Sequence, residues 1–238
     1  MSVLVLVRHG ETEWGRLRLF TGWSNPPLSL RGEMQARQAG TGLAGLVAID
    51  RVYTSLLQRA SETASILLAV AGAAAPVEAD WRLNERHLGL LEGLSKEEVR
   101  ATWGNEKRKI WRDDDGARPP VVPGDDLRHP RHDPRYRHVA AHLLPGAERG
   151  SETTERVLEV WHERIAPDVL AGRGVVVVSH LGPLRVLARH LSSGGTDEAP
   201  ATWPNGAVRL YEIAPDLAAA QAAAAIRTPP TARYPTGV

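Results

Sequence analysis

Val3-Leu4-Val5-Leu6-Val7-Arg8-His9-Gly10 opens the chain with a short apolar run that stops at a charged turn. The run alternates β-branched valine with leucine and has no polar face. That is the pattern of a strand buried on both sides, as in a parallel sheet. Val175-Val176-Val177-Val178-Ser179-His180 repeats it, again ending in a histidine. Shorter strands fit at 51–53, 76–78 and 208–213. Helix-period segments lie between them. Ser29 caps one that runs to about residue 46, and Thr54 or Ser55 starts the next. Ser151 or Thr153 starts a third, with Val157, Leu158, Trp161 and Ile165 on one face. A fourth begins at Pro183. Strands alternating with helices predict an α/β three-layer sandwich, with a mostly parallel central sheet and helices on both faces.

Residues 84–144 break this rhythm. They are rich in charge, proline and tryptophan and contain no second strong apolar strand. They read as an insertion over one end of the sheet rather than as a domain with its own core. The expected organisation is one domain over 1–214 with that insertion, then an alanine- and proline-rich C-terminal tail over 215–238. The alanine stretch 217–226 favours a helix, and the last dozen residues a mobile end.

The chain has 238 residues, no cysteine and a formal charge of +1. Length permits a core without staples. The missing thiols exclude disulfides, zinc–thiolate sites and cysteine nucleophiles. The near-zero charge gives no global field for nucleic acid or membrane. The first apolar run is too short for a signal core or a membrane span, so a cytoplasmic location is expected.

In open α/β sheets, ligands bind beyond the carboxyl ends of the strands. If the two long strands are neighbours, His9 and His180 face each other there. A neutral imidazole is a good nucleophile toward phosphorus. The transferring phosphoryl group spreads negative charge over its oxygens, which arginine binds two at a time. Arg8 and Arg59 are the candidates, together with the N-terminus of the helix near Pro183. His180 is expected as a charged donor to the same oxygens. Glu11 and Glu85 are both candidates for moving the proton.

Leu6-Val7-Arg8-His9-Gly10-Glu11-Thr12-Glu13-Trp14 resembles the signature of the histidine phosphatase superfamily. Phe20-Thr21-Gly22-Trp23, Tyr53-Thr54-Ser55 with Arg59-Ala60, and Trp81-Arg82-Leu83-Asn84-Glu85-Arg86-His87 narrow the resemblance to the cofactor-dependent phosphoglycerate mutases. Gly93-Leu94-Ser95-Lys96, Trp111-Arg112 and His132-Asp133-Pro134-Arg135-Tyr136 are similar too. The resemblance spans about 3–213 and implies a phosphoglycerate mutase-like fold. It implies His9 as the phosphohistidine, Glu85 as the proton carrier, and His180, Arg8 and Arg59 around the phosphoryl group. Thr12, Thr21, Gly22, Arg86, Lys96, Arg112, Leu181 and Gly182 stand where the family binds substrate. The implied reaction interconverts 2- and 3-phosphoglycerate, with 2,3-bisphosphoglycerate as primer, no metal and no permanently bound cofactor. The implied partners are a small phosphorylated substrate and further copies of the chain, as a dimer or tetramer.

The chain departs from that pattern inside the site. Gly15 stands where the family has Asn, Leu19 where it has Arg, Leu88 where it has Tyr, and Asp113 where it has a second Arg. Leu181-Gly182-Pro183 replaces Gly-Asn-Ser, and Arg149-Gly150 replaces Ser-Leu. Two cationic contacts are lost, each worth about 1.5–3 kcal/mol. The alternative activity is therefore a phosphatase acting on another phosphorylated metabolite. Arg16, Arg18 and Arg118 are the cations expected to compensate if the mutase grip survives. His129, His132, Asp133, His138 and His142 cluster in the insertion, and His138 and His142 have the spacing of helical metal ligands. The stretch reads as a solvated, proline-broken loop instead. Its arginines are offset by Asp113-Asp114-Asp115 and Asp125-Asp126, which argues against nucleic acid.

Overall fold

The computed structural model describes residues 2–192, 202–213 and 225–227. In chain order the main elements are β1 (Ser2–Arg8), α1 (Glu13–Arg16), α2 (Leu30–Leu43), β2 (Arg51–Thr54), α3 (Gln58–Ala71) and β3 (Val77–Ala79). Then come α4 (Lys96–Trp103), α5 (Asn105–Asp113), α6 (Gly150–Val160), α7 (Ala166–Leu170), β4 (Val175–Ser179), α8 (Leu181–Leu191), β5 (Val208–Ile213) and β6 (Ala225–Arg227). The six-stranded sheet has the order β3-β2-β4-β1-β5-β6. The β1, β2, β3 and β4 pairings are parallel, and β5 and β6 add antiparallel.

The two long valine-rich strands are neighbours, with Val7 opposite Val178 and Arg8 opposite Ser179. Successive side chains point to opposite faces. Val5, Val7, Val176 and Val178 pack under α2 and α3 through Ala39, Leu43, Ala60, Ala64 and Leu67. Leu4, Leu6, Val175 and Val177 pack on the other face against α6, α7 and α8, with Val157, Trp161, Ile165, Leu184 and Leu187. Both faces are covered, which is why these strands show no polar alternation.

Helix boundaries differ from the sequence expectations in instructive ways. Ser29 does cap α2, accepting from Gly32 N at 3.1 Å, but the helix ends at Leu43. Neither Thr54 nor Ser55 starts α3. Its first amide, Gln58 N, donates instead to Asn25 Oδ1 at 2.7 Å, and Ser55 is engaged at the site below. The third helix starts at Gly150, one residue before Ser151, and continues through a π-turn at Trp161–Ile165. α8 begins at Leu181, so Pro183 falls within the first turn, where its missing N–H has no helical partner to lose. The alanine-rich helix expected over 217–226 is contradicted at Ala225 and Ile226, which lie in β6, where pairing with β5 supplies backbone partners. The rest of that stretch, and most of the tail, lie outside the described residues.

The insertion contributes α4, α5 and a series of single 3-10 turns. Beneath it, Trp23, Tyr136 and Leu144 form a small apolar cluster with Leu56, Trp81 and Val139. His138 and His142 do not share a helix: His142 lies inside the three-residue 3-10 turn Ala141–Leu143, and His138 lies before that turn begins. Among the described residues no group of three or more His, Asp or Glu side chains is placed to hold a metal ion. No described helix is long and apolar enough to cross a membrane.

Candidate active site

The carboxyl ends of β1 and β4 deliver His9 and His180 side by side, with ring centroids 4.9 Å apart. The turn after His9 is held from three sides. Gly10 N donates to Thr63 Oγ1 at 3.0 Å, Ser29 N donates to Glu11 O at 2.9 Å, and Asn205 Nδ2 donates to His9 O at 3.0 Å. A Cβ on Gly10 would stand 2.3 Å from Gly32 O, and one on Gly32 only 2.0 Å from Glu11 O. The glycines let the start of α2 close directly on the turn.

His9 Nδ1 lies 2.6 Å from Gly10 O, an atom that can only accept. The ring proton is therefore on Nδ1, and Nε2 keeps its lone pair. Burial pushes the His9 pKa well below the ordinary histidine range, and Arg59 and Arg8 push it further. The result is a neutral imidazole with its nucleophilic nitrogen unprotonated.

His180 is wholly buried. Its Nε2 lies 2.8 Å from Ser55 Oγ, which also accepts from Leu57 N at 3.2 Å. With Ser55 donating to Nε2, the His180 proton sits on Nδ1, which has no protein partner. Burial first, then Arg59, His9 and Arg8, hold its pKa well below the ordinary range. Burial in a corner shared with two guanidiniums thus favours neutral His180, against the charged form expected from sequence.

Arg59 is buried, and donates through Nη1 to Ser24 O at 2.9 Å and through Nη2 to Gly22 O at 2.8 Å. Burial lowers its pKa to about 10, with Glu85 and Glu92 opposing the shift, so it stays cationic at neutral pH. Arg8 donates to Trp203 O, while its buried Nε has no partner. Glu85 follows the short turn Trp81–Leu83. Its backbone carbonyl accepts from Arg156 Nη2 at 2.9 Å and from Trp23 Nε1. Its carboxylate accepts from Arg86 N at 2.9 Å and Gly182 N at 3.4 Å. Glu11, the rival proton carrier, instead accepts from Ser29 Oγ at 3.1 Å and does not line the cavity.

One cavity of about 680 Å³ is lined by Arg8, His9, Arg59 and Glu85. Thr12, Thr21, Gly22, Arg86, Lys96, Leu181 and Gly182 line the same space. His180 lies one layer deeper, against the His9 ring. The Arg112 side chain lies outside the described residues. The departures Gly15, Leu19, Leu88, Leu181 and Gly182 all face this cavity. The expected substitutes do not. Arg16 pairs with Glu13 and Arg118 with Glu152, and Arg18 sits in a turn at φ 58°. Arg108, Arg185 and Arg189 line the cavity instead.

Sequence reading missed two supporting groups. Ser55 sets the His180 tautomer, although only its place in a motif was legible. Glu92 gathers four donors: Trp23 N at 2.9 Å, Ser24 N at 2.8 Å, Ser24 Oγ at 2.9 Å and Leu88 N at 3.0 Å.

Residues 4–132 match the histidine phosphatase superfamily (branch 1). The chain belongs to the histidine phosphatase superfamily. It is 41% identical over 220 residues to a 2,3-bisphosphoglycerate-dependent phosphoglycerate mutase from Thermobifida fusca (strain YX), covering 91% of this chain and 89% of that one. Among solved structures it resembles an alpha-ribazole phosphatase from Shigella flexneri, at 25% identity and TM-score 0.66, covering 95% of each chain. It also resembles a mycobacterial glucosyl-3-phosphoglycerate phosphatase complexed with VO3, at 26% identity and TM-score 0.66, covering 89% of this chain and 91% of that one. Mutases and phosphatases of the superfamily therefore both stand among its relatives.

Proposed function

We propose that this protein is a phosphohistidine-forming phosphomonoesterase acting on a small phosphorylated acid. The observation that carries the reading is convergence. Six of the positions at which the chain departs from the mutase pattern, Gly15, Leu19, Leu88, Gly150, Leu181 and Gly182, line the cavity that also holds the intact His9, Arg8, Arg59 and Glu85. The machinery that forms the phosphoenzyme is retained, and the surface that would grip and turn a bisphosphate is replaced by Leu19, Leu88, Leu181 and three glycines.

His9 Nε2 attacks phosphorus, the P–N bond forms and the ester P–O bond breaks. Protonated Glu85 gives its proton to the leaving alkoxide. Arg8, Arg59 and the first amides of α8 meet the negative charge that builds on the phosphoryl oxygens. The His180 Nδ1–H supplies a further donor, and an anion beside it favours its charged form. In the second half, Glu85 takes a proton from water, the water oxygen attacks phosphorus, and the P–N bond breaks. Phosphate leaves and His9 is restored.

Mutase-type interconversion of 2- and 3-phosphoglycerate is the second reading, favoured by the 41% identical relative and by Thr21, Gly22, Arg86 and Lys96 in the cavity wall. Incubation with 2,3-bisphosphoglycerate and with a panel of phosphomonoesters separates the two. Acid-labile label on His9 and release of free phosphate are expected. Bisphosphate-primed isomerisation faster than phosphate release would overturn hydrolysis in favour of the mutase reading. The His9→Ala variant should take up no label.

A further inference from the structure

The Glu85 carboxylate has few anchors of its own. Among the described residues it accepts only from Arg86 N at 2.9 Å and, at the long distance of 3.4 Å, from Gly182 N. No described side chain hydrogen-bonds it. Glu85 also lies outside regular structure. The turn Trp81–Leu83 ends before it, and the next turn starts at Gly89. A helix or strand would fix its backbone by a ladder of hydrogen bonds. Here the direction of the side chain depends on whatever else holds residues 82–87.

A buried ion pair does so. Arg156 lies on the buried face of α6 with Thr153, Val157 and Val160, and its partner Glu148 is buried too. All five N–H donors of Arg156 are used. Nε donates to Glu148 Oε1 at 2.6 Å, and Nη2 to Glu148 Oε2 at 2.8 Å. Nη1 donates to Arg82 O at 2.7 Å and Asn84 O at 2.8 Å, and the other Nη2 hydrogen goes to Glu85 O at 2.9 Å. Glu148 takes the far side. Its Oε2 accepts from His87 N at 2.7 Å, and its backbone N donates to His87 O at 2.9 Å. The Trp23 ring centroid lies 5.7 Å from the guanidinium carbon, and Trp23 Nε1 donates to the same Glu85 O. Neither Arg156 nor Glu148 lines the cavity.

Desolvation offsets much of the attraction in a buried ion pair, so stability alone is a weak reason for one. This pair spends five hydrogen bonds on the backbone to either side of one side chain. We infer that Arg156 and Glu148 are positioning residues that aim the Glu85 carboxyl at the leaving oxygen of the substrate. The inference rests on Glu85 being the proton carrier. When phosphohistidine forms, the P–N bond to His9 is made and the ester P–O bond breaks, with its electron pair staying on the leaving oxygen. An alkoxide needs the Glu85 proton to depart as an alcohol. Dinitrophenolate departs as the anion and needs none. A misplaced Glu85 therefore slows alkyl esters and spares dinitrophenyl ones, whereas general damage to the site slows both.

The test is the ratio of phosphohistidine formation rates, by rapid quench, from 2,4-dinitrophenyl phosphate and from n-butyl phosphate. Any unfolded fraction lowers both rates equally and cancels in the ratio. Arg156→Lys keeps the charge, but a single ammonium cannot span a carboxylate and three carbonyls. It should raise the ratio about tenfold to hundredfold. Glu148→Gln, the milder variant, should raise it by about threefold to tenfold. Glu85→Gln should raise it at least as much as Arg156→Lys, and adding Arg156→Lys to Glu85→Gln should raise it no further. An unchanged ratio in Arg156→Lys and Glu148→Gln, or a further rise in the double variant, overturns the inference and leaves Glu85 as the proton carrier. An unchanged ratio in Glu85→Gln overturns that role of Glu85, and the inference with it.

Discussion

Removing the Glu92 carboxylate should unfasten the loop that carries Gly22 and Ser24 from Arg59, the arginine proposed to act at phosphorus. Its two oxygens hold three backbone amides and one hydroxyl, and its side chain is only 12% exposed. Replacement by leucine leaves Trp23 N, Ser24 N and Leu88 N without acceptors. Each buried, unsatisfied donor costs about 1–3 kcal/mol. Relief of carboxylate burial offsets part of the sum, so a net loss of about 3–6 kcal/mol is expected. Glu92→Gln keeps the volume but turns an NH2 group toward backbone donors, and should cost about 1–3 kcal/mol. The loss reaches the chemistry because Gly22 O and Ser24 O, on the same loop, hold Arg59. Urea denaturation gives the stability, and the rate of phosphohistidine formation gives the activity, both read on Glu92→Gln as the milder variant. A second handle comes from Gly22, at φ 49°, where a Cβ would stand 2.1 Å from Glu92 Oε1. Gly22→Ala should therefore be less damaging in a Glu92→Ala background than alone, giving a favourable coupling in a double-mutant cycle. A Glu92→Leu variant within about 1 kcal/mol of the parent, or strict additivity with Gly22→Ala, would refute this account of the loop.

Burial holds His9, His87 and His180 below the ordinary histidine pKa. Between those lowered values and about 6.5 the unfolded chain binds more protons than the folded one, so stability should fall as pH falls through that window. The slope should approach about 1.4 kcal/mol per pH unit for each group, read by urea midpoints from pH 7.5 to 5. A flat profile there would contradict neutral histidines in the fold. Ser55→Ala removes the hydroxyl that fixes the His180 tautomer and should slow phosphohistidine formation by about tenfold to hundredfold, with about 1 kcal/mol of stability lost. Ser55→Thr should recover most of the rate, and failure to do so would point to packing rather than tautomer control. Gly32→Ala drives a Cβ into Glu11 O at 2.0 Å, backbone against backbone, and should cost more than about 3 kcal/mol in urea unfolding.

What the sequence disclosed depended on whether a property is local. The valine runs declared their strands because a strand covered on both faces needs no polar positions, and their terminal histidines followed from the rule for open sheets. Ser29 was readable as a cap because capping acts over three residues. Ser55 was not, because its hydroxyl is engaged by His180, 125 positions later, instead of by its own helix. The downward pull on the His180 pKa was hidden for the same reason. No spacing rule reports that Arg59 and Arg8 share its buried corner.

The replacement cations show the limit most clearly. Arg16 and Arg18 are near the lost arginine in sequence, but proximity along a turn says nothing about direction, and Arg16 is paired with Glu13 across 3.0 Å. Arg185 and Arg189 are far from it in sequence. Yet they lie four and eight residues beyond Leu181, a position already assigned to the site, so helical period alone places all three on one face. The physics needed to find them was in the sequence, conditional on one fact the sequence leaves open: which side of α8 the apolar core claims. Leu184, Leu187 and Leu191 take the core side. Once they do, the 181, 185 and 189 positions are committed to the cavity, and the arginines there are positioned by the same packing that holds the sheet together.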